Sequence, residues 1–319
     1  MDNLQRDIYR TLVYFSYFGY PLTVFELWKY LYRPSQVWTF SQVATAVGAW
    51  SVTCPVPIES HDGFYGLPDE KHGDVEVQVN ERHDRYLDAV RKYRRLKWVL
   101  RYLRCLPFIR GVAVCNTLAF HHTRPESDID LFVITAPGRV WTTRFLVVAP
   151  LRLLKLRPRE AKRDPIDISF LVSEVALNFD ALRLQPNDPY FAYWLATLRP
   201  VIDRGGIFDR LVAENQTSLS SLPNTQTSDF TGPIPACALS ELRTGRLGSA
   251  PTLERSRIFL SEKWFEKLQR DNFPQEIRDL QNRDSRVVVS NDVLKFHKND
   301  RRLEIRDYLE SKMKLCETL

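Results

Sequence analysis

Residues 111–135 read GVAVCNTLAFHHTRPESDIDLFVIT, and two aspartates in that stretch decide how the rest of the chain is read. The apolar, β-branched run Ile129–Thr135 has the composition of a strand. Side chains alternate faces along a strand, so Asp128 and Asp130 project one way while Ile129 and Leu131 project the other. Carboxylates so placed repel each other unless a cation lies between them, and aspartate is otherwise depleted in strands. Hard oxygen ligands of this kind suit Mg²⁺, which keeps its remaining positions for water and phosphate oxygens. A third carboxylate is available in DPIDISFLV, residues 164–172, where Asp167 alternates with Ile166 and Ile168 and so leaves the apolar face. Asp164 competes for the same role. If the two strands are neighbours, three carboxylates converge and can hold two metal ions that clamp the attacking and leaving oxygens of an in-line phosphoryl displacement.

Around this stretch the pattern alternates strand, helix, strand, long helix and strand over 109–115, 117–122, 129–135, 140–156 and 166–172, which predicts a mixed α/β (α+β) unit. A long helix over 80–106 leads into it, with Val90, Tyr93, Leu96, Leu100 and Leu103 on one stripe and Pro107 ending it. Nine Lys or Arg residues fall between Arg82 and Arg104, enough for a polyanion-binding patch or simply for a solvated face. Residues 80–180 therefore form the expected core with its basic leading helix, and 181–214 a helical extension built on 189–198 and 207–214. Residues 215–252 are rich in Ser, Thr, Pro and Asn and read as a flexible linker or disordered loop. The region 253–319 is expected to be helical, with Ser290-Asn291-Asp292 capping a helix through VLKFHKNDRRLEIRDYLESKMK.

Before the core, residues 1–72 read as a separate module. Leu4, Ile8, Leu12 and Phe15 are spaced for a first helix, and Gly19-Tyr20-Pro21 breaks it. Thr23 with Glu26, and Thr39 with Gln42, form capping boxes that open a second and a third helix. The extended segment 52–58, the Asp62-Gly63 turn and Phe64-Tyr65 then give a hairpin, so the whole resembles a winged helix. Its third helix, TFSQVATAV, has no Lys or Arg to meet phosphates, and the wing carries Glu59, Asp62, Asp69 and Glu70. Protein contact or internal packing is expected of this module rather than duplex DNA binding.

The composition, 44% hydrophobic and 26% charged with a net charge of +6, is that of a globular chain, and no apolar run long enough to span a bilayer is present. No membrane association is expected. The start, MDNLQRDIYR, lacks a basic region leading into an apolar stretch, so a cytoplasmic location is expected. The five cysteines are scattered without a CxxC pair, which indicates neither a zinc knuckle nor a disulfide framework.

The central stretch resembles the nucleotidyltransferase superfamily of the DNA polymerase β type. In its bacterial and archaeal members an apolar strand runs into Gly-Ser-Leu-Ala, then eight residues, then Asp-x-Asp on the next strand, with a third acid on a later one. Here Val112–Ala119 is followed by eight residues, 120–127, and then Asp128-Ile-Asp130, so the spacing agrees without a gap. Asn116 falls on the family's Gly and Thr117 on its Ser. The resemblance covers residues 111–179 and implies a small mixed sheet with flanking helices. It implies that Asp128 and Asp130 ligate Mg²⁺ (two ions, with Mn²⁺ as a substitute) and the triphosphate, while Asp167 ligates the second ion and accepts the acceptor's proton. Asn116, Thr117 and Ser127 would meet the nucleoside triphosphate, as would Arg139 and Arg144 at the start of the following helix. His121 and His122 are assigned to the loop and Trp141 to the core. The acceptor is left open among a protein, an RNA end and a small molecule. Two other readings stand beside catalysis. One is an inactive relative that binds nucleotide as a regulatory module, which the Asn116 substitution favours. The other is a winged-helix regulator with a merely structural second domain.

Overall fold

The computed structural model describes residues 1–50, 56–158, 160–161, 163–225 and 261–317. They form a mixed α/β fold with two sheets, one of three strands and one of six. Among the described residues no helix is long and apolar enough to cross a membrane. Cys105, Cys115 and Cys316 are free thiols, and Cys54 and Cys237 lie outside the described residues.

The chain opens with α1 (Asn3–Ser16), where Asp2 accepts from the Gln5 amide at 2.7 Å and the Gln5 side chain accepts from the Asp2 amide in return. Ile8, Leu12 and Phe15 of the expected stripe are buried. Then come β1 (Leu22–Thr23), α2 (Val24–Lys29), α3 (Phe40–Gly48), β2 (Glu59–His61) and β3 (Phe64–Gly66), with the strands in the order β1-β3-β2. Both capping boxes form: Thr23 accepts from the Glu26 amide at 3.2 Å and Thr39 from the Gln42 amide at 3.3 Å. Asp62 and Gly63 both take positive φ, as a two-residue hairpin turn requires. The expected strand at 52–58 falls partly outside the described residues, and the observed strand begins at Glu59.

Next, α4 (Val75–Cys105) starts ahead of the expected residue 80, because Asp74 caps the Val77 amide and Val75 and Val79 are buried. Its basic residues are only partly a solvated face. Lys92 is wholly buried, and Arg91 and Arg95 reach the buried Asp164 at 2.6 and 3.6 Å.

The large sheet and its surroundings follow: β4 (Ile109–Val114), α5 (Asn116–Ala119), β5 (Ile129–Thr135), α6 (Val140–Leu153), β6 (Ile166–Ser173), α7 (Pro189–Ala196), β7 (Arg199–Asp203), α8 (Ile207–Glu214), α9 (Gln216–Leu219), α10 (Glu262–Asp271), α11 (Gln275–Leu280), β8 (Val287–Val289), β9 (Val293–Phe296) and α12 (Arg302–Glu317). The strand order is β7-β4-β5-β6-β9-β8. Only β5 and β6 are parallel, joined by α6; every other pair is antiparallel. Leu131, Val133 and Ile168 face α4, α6 and Phe265 of α10, whereas Phe132, Ile134 and Phe170 face α7 and α8. Trp141 is fully buried in the first of these layers.

Three expectations are corrected here. The region 181–214 is not wholly helical, since β7 adds an edge to the sheet; Pro200 is tolerated because an edge strand can spare an amide. Residues 215–225 are folded, with Leu219 and Leu222 buried, so the linker expected from 215 can start no earlier than 226, and 226–252 lie outside the described residues. Residues 293–296, expected in a helix, are strand β9. Ser290 Oγ accepts from the Val293 amide at 2.9 Å and closes a turn, which lets Leu294 bury against β6, and the helix begins only at Arg302. Of the region 253–319 expected to be helical, residues 253–260 lie outside the described residues and α10 begins at Glu262, capped by Ser261.

The core of residues 1–72 is continuous with the rest. Tyr14 stacks on Tyr193 of α7 with ring centroids 4.0 Å apart, and Ile305 and Leu309 of α12 join the same cluster.

Candidate functional site

Sheet register brings the acids together. In the parallel β5–β6 pair Asp130 lies across from Asp167, and the next paired residues are Phe132 and Phe170, so β6 has one extra residue there. Ser169, two residues beyond Asp167, lines the same space as the carboxylates, and the extra residue pairs Phe170 with Phe132. Asp128, Asp130 and Asp167 line one wall of a cavity of about 420 Å³, within the range of small-molecule sites. Tyr190, Phe191 and Trp194 of α7 form its apolar side. Lys295 of β9 and the following Lys298, Arg301 and Arg302 form a mainly basic side, where Arg302 is paired with Asp300 at 2.6 Å.

Behind the acids, Lys92 supports the approach to β5. Its ammonium donates to the carbonyls of Arg124 and Ser127 at 2.5 and 2.7 Å and pairs with Asp88 at 3.2 Å. Burial and the neighbouring negative charges disfavour ionisation of the acids. Burial first, and then Asp167 and Asp128, push the Asp130 carboxyl up to about 7, although the Asn116 side chain donates to it. Asp128 is raised by burial and by Asp167. On the opposite side, burial and Arg302 bring the Lys295 ammonium down to about 8. His297, lowered to about 3 by burial, is a neutral ring 3.0 Å from Ser169 Oγ.

Of the nucleotide contacts expected from the sequence, Asn116 is at the site. Its φ is +57°, the left-handed conformation that the Gly at this position would favour. The side chain donates to Asp130 and its Oδ1 accepts from the Tyr190 hydroxyl at 3.4 Å. Thr117 is exposed and lines a smaller, apolar cavity of about 70 Å³ beside Phe15, Tyr20 and Phe120. Ser127 Oγ accepts from the Arg124 amide at 3.1 Å and shapes the turn before Asp128, outside the lining of the large cavity. Arg139 is not brought together with the three aspartates and does not line the cavity. It precedes α6 at the far end of the seven-residue β5, about 20 Å of strand from Asp128, with its guanidinium over Phe108. Arg144 sits behind the cavity, bonded to Gln269 at 2.7 Å between Phe273 and Phe296, and burial lowers it to about 10. His121 and His122 serve the loop; His122 contacts the Phe18 carbonyl and Arg85.

Sequence reasoning missed the basic side. The signal was present: Val287-Val288-Val289, the Ser290-Asn291-Asp292 turn and the alternation of Val293-Leu294-Lys295-Phe296 are a hairpin pattern. It also missed Arg157, whose Nη2 lies 3.1 Å from Asp167 Oδ1. Asp164, the alternative third acid, is paired with Arg91 and Arg95 and does not line the cavity.

The donor set, three carboxylates at the ends of adjacent strands, fits a hard divalent cation. As the side chains stand, however, no group of three His, Cys, Asp or Glu among the described residues is gathered around one metal position. Asp167 is turned to Arg157 and Asp130 to Asn116. No protein-family model, curated protein or solved structure matches this chain.

Proposed function

We propose that this chain is a metal-dependent nucleotidyltransferase of the DNA polymerase β type, transferring a nucleoside monophosphate from a nucleoside triphosphate to a hydroxyl acceptor. The observation that carries the reading is the Asp130–Asp167 register, which puts three carboxylates on one wall of a cavity whose other wall is basic. The strand–short helix–strand order of β4, α5 and β5 supports it, as does the left-handed backbone at Asn116. The helix–strand–helix–helix–strand–strand order before Gly66 supports the winged-helix reading of residues 1–72. With no cation on α3, that module is assigned to packing or protein contact rather than to duplex DNA.

Asp128, Asp130 and Asp167 would hold Mg²⁺ or Mn²⁺, which supplies charge neutralisation and a template for in-line displacement. Lys295, Lys298 and Arg301 would face the polyphosphate, and Tyr190 and Trp194 would exclude water. The acceptor oxygen forms a bond to the α-phosphorus as the bond from that phosphorus to the bridging oxygen breaks. Pyrophosphate leaves with the electron pair, and the hydroxyl proton passes to Asp167.

Calorimetric titration of each nucleoside triphosphate with and without Mg²⁺, paired with a pyrophosphate-release assay, tests this. Binding that requires the cation and is lost in Asp130→Asn supports it, because bare carboxylates repel phosphates. Equal affinity in both conditions refutes it. A second reading, a nucleotide-binding relative without turnover, is favoured by the Arg157–Asp167 pair and by Asn116; it predicts metal-dependent binding with no pyrophosphate release.

A further inference from the structure

We propose that Arg157 competes with the divalent cation for Asp167, and that the nucleoside triphosphate completes the site by drawing Arg157 onto its own phosphates; this rests on the nucleotidyltransferase reading. The loop between α6 and β6 is pinned at its neck, where the Leu156 carbonyl accepts from the Ile166 amide at 2.7 Å. Arg157 is the next residue, so its guanidinium is delivered to the start of β6 and to Asp167 at 3.1 Å. Asp167 is the one side chain that Arg157 bonds among the described residues. Arg144, positively charged and locked between two rings, lies close enough to be affected by both members of the pair, so its charge disfavours Arg157 beside it.

A carboxylate oxygen occupied by a guanidinium is a poor ligand for a dication. The cation has to displace a hydrogen bond and then endure a positive charge a few ångströms away. A triphosphate changes this balance. It carries more charge than a carboxylate and presents paired oxygens that match the guanidinium fork, so it is the stronger partner for Arg157. Once Arg157 turns to the phosphates, Asp167 is released across from Asp130, where the register already holds its backbone. Cation and nucleotide therefore help each other to bind, and Arg157 is the positioning residue through which they do so.

The test measures Mn²⁺ binding to the full chain by the paramagnetic resonance of the free ion, without nucleotide, for wild type, Arg157→Gln, Arg157→Lys and Asp167→Asn. Arg157→Gln is expected to tighten Mn²⁺ binding by about tenfold, within the usual span of site-to-site coupling. Arg157→Lys keeps the charge and should stay near wild type, and Asp167→Asn should weaken binding. In the presence of Mn²⁺, triphosphate affinity should fall in Arg157→Gln. Mn²⁺ affinity that is lost in Asp167→Asn but unchanged or weakened in Arg157→Gln overturns the competition and leaves the metal site standing. Failure of Mn²⁺ to bind any of the four proteins overturns the metal site and the competition together.

Discussion

Asp130 sits half-buried beside α7 with two other carboxylates nearby, and its pKa of about 7 makes it a costly residue for the fold to carry. A carboxyl whose pKa rises on folding destabilises the native state only where it is ionised. The penalty is therefore absent at about pH 3, below the unfolded value of 3.8, grows as pH rises through it and is complete above about 7. Asp130→Asn should accordingly raise the melting temperature of the metal-free protein at pH 8 and leave it almost unchanged at about pH 3. A shift of similar size at both values would show that ionisation is not the cause. Asn116 is the other informative residue. Its backbone lies at φ +57° and its side chain bonds Asp130 and Tyr190. Asn116→Gly relieves the backbone and loses the bonds, so stability should change little, whereas Asn116→Ala keeps the strain, loses the bonds and should cost about 1–2 kcal/mol in urea unfolding. Equal losses in the two variants would refute the strain argument.

At the scale of elements, the site depends on how closely helices approach the sheet. α8 crosses β4 at Gly111, where an added Cβ would stand 2.8 Å from Ile207 Cγ2 and from Phe208 Cε2. Gly111→Ala is expected to overpack this contact and destabilise by about 1–3 kcal/mol, read from urea unfolding with an unchanged m-value. Strand β9 contributes chemistry as well as an edge. Lys295, brought down to about 8 by burial, is charged below that pH and neutral above it. Triphosphate affinity should therefore weaken between pH 7 and pH 9, and Lys295→Met should be weak at both values and lose that dependence. Titration calorimetry at the two values decides it; a wild-type affinity that is flat across them removes Lys295 from the phosphate wall.

On the scale of the whole molecule, the first module is fastened to the helix that covers the site. Tyr193 of α7 is fully buried, stacks on Tyr14 and donates to the Tyr30 carbonyl at 2.8 Å. Tyr193→Ala should lower stability by about 3–5 kcal/mol and expose the α1–α7 seam to limited proteolysis, with cleavage mapped by mass spectrometry. Cleavage no faster than in wild type would mean that the seam is held elsewhere. Local rules were enough to read the parts written locally. The capping boxes at Thr23 and Thr39, the Asp62-Gly63 turn and the alternation of Asp128 and Asp130 with apolar neighbours are all set by residues within a few positions of one another, and all appear as read. That Asp167 rather than Asp164 lies across from Asp130, that β9 lines the cavity and that Arg139 lies away from it were decided only by tertiary structure. Each depends on which distant segments pair. The Val287–Phe296 hairpin stabilises itself weakly and became sheet by burying Leu294 against β6, a contact across more than a hundred residues that no local propensity encodes.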